Sequence, residues 1–354
     1  MDKKRVGIVG ATGMVGQRFA TLLAEHPWFE LTTLAASSRS AGRTYEEALG
    51  GRWKIPAALP EKLKNVTVLD AVSDFDKLVS SVDFVFCAVD MKKDEIRALE
   101  DRFALAECPV ISNNSAHRAT PDVPMIIPEI NPEHAMVIES QRKRLGTKRG
   151  FIAVKCNCSI QSYVPLLHPL RGLGLTKAAV CTYQAVSGAG KTLAEWTEMN
   201  DNVIPYIGGE EEKSELEPLR VWGELKGGAI EDAKAPVISA QCIRVPVSDG
   251  HLAAVFADFD RPVDHAEIID RWKNFKGVDL PSAPKRFIHY FTEDNRPQTR
   301  LDRDLENGMA ISAGRLRGDN IFSARFIGLS HNTLRGAAGG AVLMAELLTD
   351  KGYL

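Results

Sequence analysis

The sequence predicts a two-domain α/β protein, with a doubly wound parallel sheet first and an α+β domain with a largely antiparallel sheet second. Three observations predict it. A glycine-rich turn follows the first β-branched run and opens a helical stretch. Strand-like and helix-like segments then alternate to about residue 155, the pattern of a parallel sheet covered on both faces. Beyond it, longer strand-like segments succeed one another with few helices between, as in antiparallel pairing. A chain of 354 residues fits two domains of ordinary size.

In chain order, Arg5–Val9 is a short β-branched run ended by Gly10. "MVGQRFATLLAEH" follows with helical periodicity, its apolar positions at Val15, Phe19, Leu22 and Leu23. "FELTTLAAS", "VTVLD", "VDFVFCAV" and "CPVISN" read as further strands, with the amphipathic helix "KKDEIRALEDRFALAE" between the last two. In the second half the strands are "AAVCTYQAVS", "APVISAQCIRVPV", "HLAAVFADFD", "MAISAGRLRG" and "IFSARFIGL". "GGEEEKSELEPLR" reads as a solvated charged helix face or loop. "NTLRGAAGGAVLMAELLTD" reads as a long helix rich in small residues that packs back on the first domain. Residues 1–155 plus 331–354 therefore form the first domain, and 156–330 the second.

Composition narrows the function classes. Hydrophobic content of 44% and charged content of 25% are those of a soluble globular protein. A net charge of −2 offers no basic field for nucleic acid or anionic lipid. No apolar run approaches the ~20 residues of a membrane helix, and the apolar N-terminal run breaks at Gly10 and Gly13, too early for a signal peptide. The cytoplasm is the expected compartment. Six cysteines are too sparse for a disulfide scaffold, and Cys156-x-Cys158 lacks the two-residue spacer of zinc and thioredoxin-like motifs. No metal site is expected.

"GATGMVG" places Gly10, Gly13 and Gly16 between a strand and a helix, with Thr12, Met14 and Val15 in the same turn. Glycines let the backbone turn tightly and approach a pyrophosphate at the helix N-terminus. This is a Rossmann-like dinucleotide site. An NAD-preferring site carries an acid about 20 residues on. Here the second strand ends in Ser37, Ser38, Arg39 and Ser40, hydroxyls and a guanidinium suited to the 2′-phosphate of NADP. "AVSGAGKT" ends like a P-loop, but Ala185 replaces the first glycine, which argues against an NTPase.

"KCNCSIQS" sets Cys158 at a strand–helix junction, where the helix dipole is expected to lower its pKa and favour thiolate. Cys156 lies nearer the strand, so Cys158 is the better nucleophile. A thiolate beside a nicotinamide suggests acyl redox chemistry through a thioester, which needs an acid/base near sulfur. "IRVPVSDGHLAAVF" supplies His251, with Arg244 able to grip a carboxylate bidentately. "SDG" reads as a hairpin turn that, with Pro246, lets both point into one pocket.

At this point the sequence resembles the aspartate-semialdehyde dehydrogenases, in the branch typical of archaea and fungi. The resemblance covers nearly the whole chain through "GATGMVGQ", "LAASSRSAG", "SNNSAHR", "VPMIIPEIN", "CNCS", "TYQAVSGAG", "NVIPYIGGEEEK", "RVPVSDGH" and "HNTLRGAAGGAVLMAEL". It implies Cys158 as nucleophile, His251 as acid/base and Gln184 as the residue positioning the acyl group. It implies Arg244 on the substrate carboxylate, Arg118 after the "SNN" segment at the phosphate, Glu217 on the amino group, and Asn114 among the substrate-binding residues. Lys213 is an alternative phosphate contact, since Arg220 stands where a lysine usually follows that glutamate. Ser187, Gly188, Gly190 and Asn332 correspond to cofactor contacts; the loop departs from the family's usual "SGAGYPG" at "SGAGKTLAE". The implied reaction is NADPH-dependent conversion of L-4-aspartyl phosphate to L-aspartate 4-semialdehyde, in the biosynthesis of lysine, threonine, methionine and isoleucine. The implied second domain is catalytic and dimerising, and the assembly a homodimer or homotetramer. A related acyl-CoA reductase, such as a malonyl-CoA reductase, is the alternative enzyme; an NADP-sensing or structural dimer is the non-enzymatic one.

Overall fold

The structure is a computed structural model and describes residues 2–354. The first sheet runs β3-β2-β1-β4-β5-β6, wholly parallel. Its strands are β1 (Lys4–Val9), β2 (Phe29–Ala36), β3 (Leu69–Asp70), β4 (Phe84–Cys87), β5 (Val110–Ser112) and β6 (Ile152–Val154). β1 lies at the centre, and Val6, Ile8 and Val9 are fully buried, as helices on both faces require. Only two residues of the "VTVLD" run reach the sheet. The rest is used elsewhere: Tyr45 N donates to Val66 O, and Val68 N to Arg43 O.

The C-terminal helix Gly339–Asp350 packs against this sheet. Ala341, Val342, Met344, Ala345 and Leu348 join Val6, Ile8, Phe19, Phe84 and Phe86 in one core. The Phe19 and Phe86 rings pack at a tilt of 30° with centroids 4.6 Å apart. The helix is preceded by a π-turn, Leu334–Ala338, in which Gly336 N bonds to His331 O and Ala338 N to Thr333 O. Sequence periodicity reads this stretch as plain α-helix; the widened turn is a tertiary feature, of the kind that concentrates at functional sites.

A small hairpin, β8 (Glu224–Lys226) with β9 (Ala229–Glu231), stands apart from the second sheet. That sheet runs β10-β7-β11-β14-β13-β12, with β7 (Leu175–Gln184), β10 (Val237–Arg244), β11 (His251–Phe259), β12 (Ile288–Tyr290), β13 (Ile311–Arg317) and β14 (Ala324–Ser330). The three inner pairings are antiparallel, and the two edge pairings, β10–β7 and β12–β13, are parallel. This corrects the hairpin reading of "SDG". β10 and β11 are not neighbours, because β7 lies between them, and Val245–Gly250 crosses over the end of β7. The crossover still brings the key side chains together. Arg244 is level with Gln184 in the β10–β7 register, and Leu252 with Tyr183 in β11–β7. Gln184, Arg244 and His251 therefore end up in one rank at one end of the sheet, and all three are buried.

Candidate active site

The glycine turn is built for close approach. Gly10 has φ +97°, and a Cβ there would lie 2.3 Å from Ala88 O; one at Gly16 would lie 2.2 Å from Gly10 O. Thr12, Gly13, Met14 and Val15 floor a cleft of about 930 Å³. Ser37, Arg39, Ser40, Arg43, Arg52 and Lys54 form one wall, and Ser187–Gly190 of the second domain the other. An adjoining pocket adds Gly10, Ser38 and Asp70. The Asp70 carboxylate accepts from Val72 N and Ser73 N, both at 2.8 Å, so it is spent on its own loop. Arg52 is spent on the carbonyls of Leu49 and Ala48, and Lys54 on Gly190 O and Glu195. Arg39 and Arg43, with no acid free at the end of β2, fit a dinucleotide with an extra phosphate. Arg43 and Lys54 escape sequence reading because they lie outside any motif.

Cys158 heads the Ser159–Ser162 turn, beside the rank of Gln184, Arg244 and His251. Its Sγ lies 3.4 Å from His251 Nε2. The Ala185 N–H donates to His251 Nδ1 at 3.1 Å, so the imidazole proton sits on Nε2 and faces the sulfur. Burial, then Arg244 and His331, hold His251 well below its usual pKa, so it stays neutral. The thiol differs from expectation. The turn it heads is a four-residue 3₁₀ segment, too short for a strong dipole. Burial and then Glu210 push the thiol up to about 12, against the pull of Arg118, Arg244 and Lys155. Cys156 is buried and inaccessible, its sulfur accepting from Lys155 Nζ at 3.2 Å and Gln161 Nε2 at 2.9 Å.

Two glycines make room for this centre. A Cβ on Gly336 would lie 2.8 Å from Cys158 Cβ, and one on Gly188 would lie 2.9 Å from Arg244 NH1 and 3.2 Å from His251 Nε2. Gly336 belongs to the π-turn, so the small residues of the C-terminal segment serve the thiol as well as the packing.

The charge run "EEEKSELEP" is a helix, Glu210–Val221, with Glu210, Ser214, Glu217 and Val221 buried along one face. It is not merely solvated. Glu210 accepts from Asn157 Nδ2 at 3.0 Å, Lys213 Nζ at 2.8 Å and Gln184 Nε2 at 3.3 Å. Burial pushes its carboxyl up, but Lys213, Asn157 and Gln184 outweigh that and hold it below the usual range. Sequence reading missed Glu210. The signal was present, since Lys213 follows it by the three residues sought after Glu217. Glu217, expected at an amino group, instead accepts from Arg118 NH1 at 2.8 Å and Asn157 N at 2.5 Å. Arg220 is spent on the carbonyls of Thr120, Pro121 and Ile230. Arg118, Lys213 and Glu217 line a cavity of about 310 Å³, and Arg118 Nε is buried with no hydrogen-bond partner among the described residues.

Two expected contacts are arranged differently. Asn114 points its amide at Glu100 Oε1, 3.0 Å, and Cys87 Sγ, 3.4 Å, anchoring the loop that carries Arg118. Asn332 accepts from Gly250 N at 2.8 Å and donates to Ser187 Oγ at 2.8 Å. It braces the cofactor-facing turn from behind and is not part of the cleft lining.

Residues 5–138 match the model of the semialdehyde dehydrogenase NAD-binding domain, and residues 167–335 that of the semialdehyde dehydrogenase dimerisation domain. The chain is 46% identical to an aspartate-semialdehyde dehydrogenase of Archaeoglobus fulgidus, with 97% of each chain covered. It belongs to the aspartate-semialdehyde dehydrogenase family. A fungal relative, the aspartate-semialdehyde dehydrogenase of Aspergillus fumigatus, is 40% identical over 99% of both chains. The aspartate-semialdehyde dehydrogenase of Candida albicans, solved with NADP, superposes over the full length of both chains with a TM-score of 0.89 at 35% identity. That of Vibrio cholerae, solved with ASA, gives 0.76 at 26% identity, covering 99% of this chain and all of that one.

Proposed function

We propose that the chain reduces L-4-aspartyl phosphate to L-aspartate 4-semialdehyde with NADPH, through a thioester on Cys158. The observation that carries this reading is the 3.4 Å contact of Cys158 Sγ with His251 Nε2 among Arg118, Arg244 and Lys155.

Arg244 holds the substrate α-carboxylate, and Glu210, kept ionised by its neighbours, takes the α-ammonium. Arg118 and Lys213 face the phosphate, with Glu217 and the Asn114 anchor fixing Arg118. Cys158 sulfur, as thiolate, attacks the acyl carbon; the carbon–oxygen bond to phosphate breaks, and inorganic phosphate leaves. The cleft of Thr12–Val15, Ser37, Arg39 and Ser187–Gly190 would hold NADPH, which would supply the hydride that reduces the thioester carbon. The oxygen that becomes negative there is met by the Nε2–H of His251. The thiohemiacetal then collapses, the carbon–sulfur bond breaks, and aldehyde and thiolate separate. Gln184, hydrogen-bonded to Glu210, positions the acyl group.

We also place the enzyme in the cytoplasm as a homodimer. The outer face of the second sheet supports the dimer: Cys181, Tyr183, Ile243, Leu252, Ala254 and Phe256 form an incompletely buried, mainly apolar surface within the region matching the dimerisation domain.

The reverse reaction tests the chemistry. L-aspartate semialdehyde, NADP and inorganic phosphate give NADPH, and omitting phosphate abolishes it, because phosphate releases the acyl group from Cys158. No NADPH under these conditions, with reduction of a CoA thioester by NADPH instead, overturns the reading in favour of an acyl-CoA reductase.

A further inference from the structure

The loop "KTLAEW", Lys191–Trp196, is where the chain departs from its family's usual pattern, and the structure shows what it builds. Thr192 N donates to Glu195 Oε2 at 2.9 Å, and Glu195 N to Thr192 Oγ1 at 3.3 Å. Lys191 Nζ lies 4.3 Å from the centre of the Trp196 ring. This closed turn presents Glu195 Oε2 to Lys54 Nζ, 2.9 Å away. The same ammonium donates to Gly190 O at 2.9 Å.

Lys54 comes from the opposite domain, and its segment is tied to the glycine turn. Buried Gln17, on the helix that the turn opens, donates to Thr12 O and Arg52 O, both at 3.0 Å. It accepts from Lys54 N at 2.7 Å. Polar contacts thus run unbroken from the turn through Gln17 and Lys54 to Gly190. Both Lys54 and Gly190 line the cofactor cleft, and Gly188, two residues earlier, abuts Arg244 and His251.

We propose that Lys54 and Glu195 form a latch that closes the Ser187–Gly190 turn over NADP(H), which makes Lys54 a positioning residue for the cofactor. This rests on reading the cleft as the NADP(H) site. A latch across the mouth acts on any dinucleotide beneath it, so its loss weakens NADPH and NADH by the same factor and speeds their release. A direct contact with the 2′-phosphate would weaken NADPH alone. The ammonium is shared between a carbonyl and a carboxylate, so Lys54 carries the larger effect and Glu195 the smaller.

The experiment is fluorescence titration of NADPH and NADH into the full-length wild type and the variants Lys54→Met, Lys54→Arg and Glu195→Gln. Lys54→Met raises both Kd values roughly tenfold, the order of one charge-assisted hydrogen bond. Its KM for NADPH rises likewise. Lys54→Arg recovers most of the affinity. Glu195→Gln raises Kd by roughly two- to threefold, as for a part-exposed ion pair. Unchanged Kd values in Lys54→Met overturn the latch, as does a loss confined to NADPH. Wild-type protein that binds neither dinucleotide overturns the latch and the cofactor reading together.

Discussion

Replacing Gly336 by alanine adds one methyl group at the back of the nucleophile. The new Cβ would stand 2.8 Å from Cys158 Cβ, 3.1 Å from its Cα and 3.3 Å from its carbonyl oxygen. Carbon atoms pack comfortably at about 3.5–4.0 Å, so the overlap is roughly 0.7 Å or more. All three opposing atoms belong to the backbone or to Cβ, so no rotamer change relieves it. Gly336 has no positive φ, so the cost is contact alone. Either the π-turn or the Asn157–Ser159 segment must shift. Overpacking of this kind costs about 1–3 kcal/mol, and moving the sulfur by about 1 Å costs on the order of 10²-fold in rate. The assay is NADPH formation from semialdehyde, NADP and phosphate, with circular dichroism confirming the fold and iodoacetamide labelling reporting access to Cys158. Gly208→Ala is the control, since among the described residues nothing lies within 4 Å of a Cβ there. A Gly336→Ala enzyme retaining kcat within about twofold of wild type would refute the claim that this glycine sets the sulfur's position.

Three further outcomes are expected. Cys158→Ala abolishes turnover with the fold intact. Cys156→Ala keeps much of the activity but lowers urea stability by about 1–3 kcal/mol, because the buried Lys155 and Gln161 donors lose their acceptor; the reverse pattern would exchange the two roles. Glu210→Gln raises KM for the semialdehyde and Glu217→Gln raises KM for phosphate, each by about tenfold or more; the opposite split would return the amino group to Glu217. The last concerns acid. Burial holds His168 and His331 at about 4 and keeps His251 well below its ordinary value, so all three are neutral in the fold. Unfolded, they bind protons below about pH 6.5, and the stability gained from keeping them neutral is present above that pH. It is lost as pH falls toward 4, by up to about 1.4 kcal/mol per pH unit for each histidine. Urea midpoints that stay level between pH 7 and pH 5 would contradict this.

What could be read in the sequence is what local rules govern. The strand–turn–helix at Gly10–Gly16 declares itself because a pyrophosphate site needs glycines at fixed spacing within a dozen residues. The absence of an acid after β2 and the Cys158 junction are equally local. Arg244 and His251 stood out in their own segment, and the family resemblance added Gln184. What tied them together was tertiary. His251 and Arg244 share a pocket because β7 lies between β10 and β11, an arrangement that the short "SDG" connection disguises as a hairpin. Glu210 was hidden in a run of like charges, where composition suggests solvent, and Glu217 was named through the resemblance alone. Only helical phase, combined with a partner surface holding Asn157 and Arg118, turns that face inward. The thiol's elevated pKa depends on burial and on charges drawn from segments far apart in the chain. Gly336 reads as a small residue in a small-residue helix until Cys158, 178 positions earlier, is seen pressed against it. Local sequence sets which backbone shapes are allowed, but desolvation and contact act between surfaces that meet only when the chain has folded.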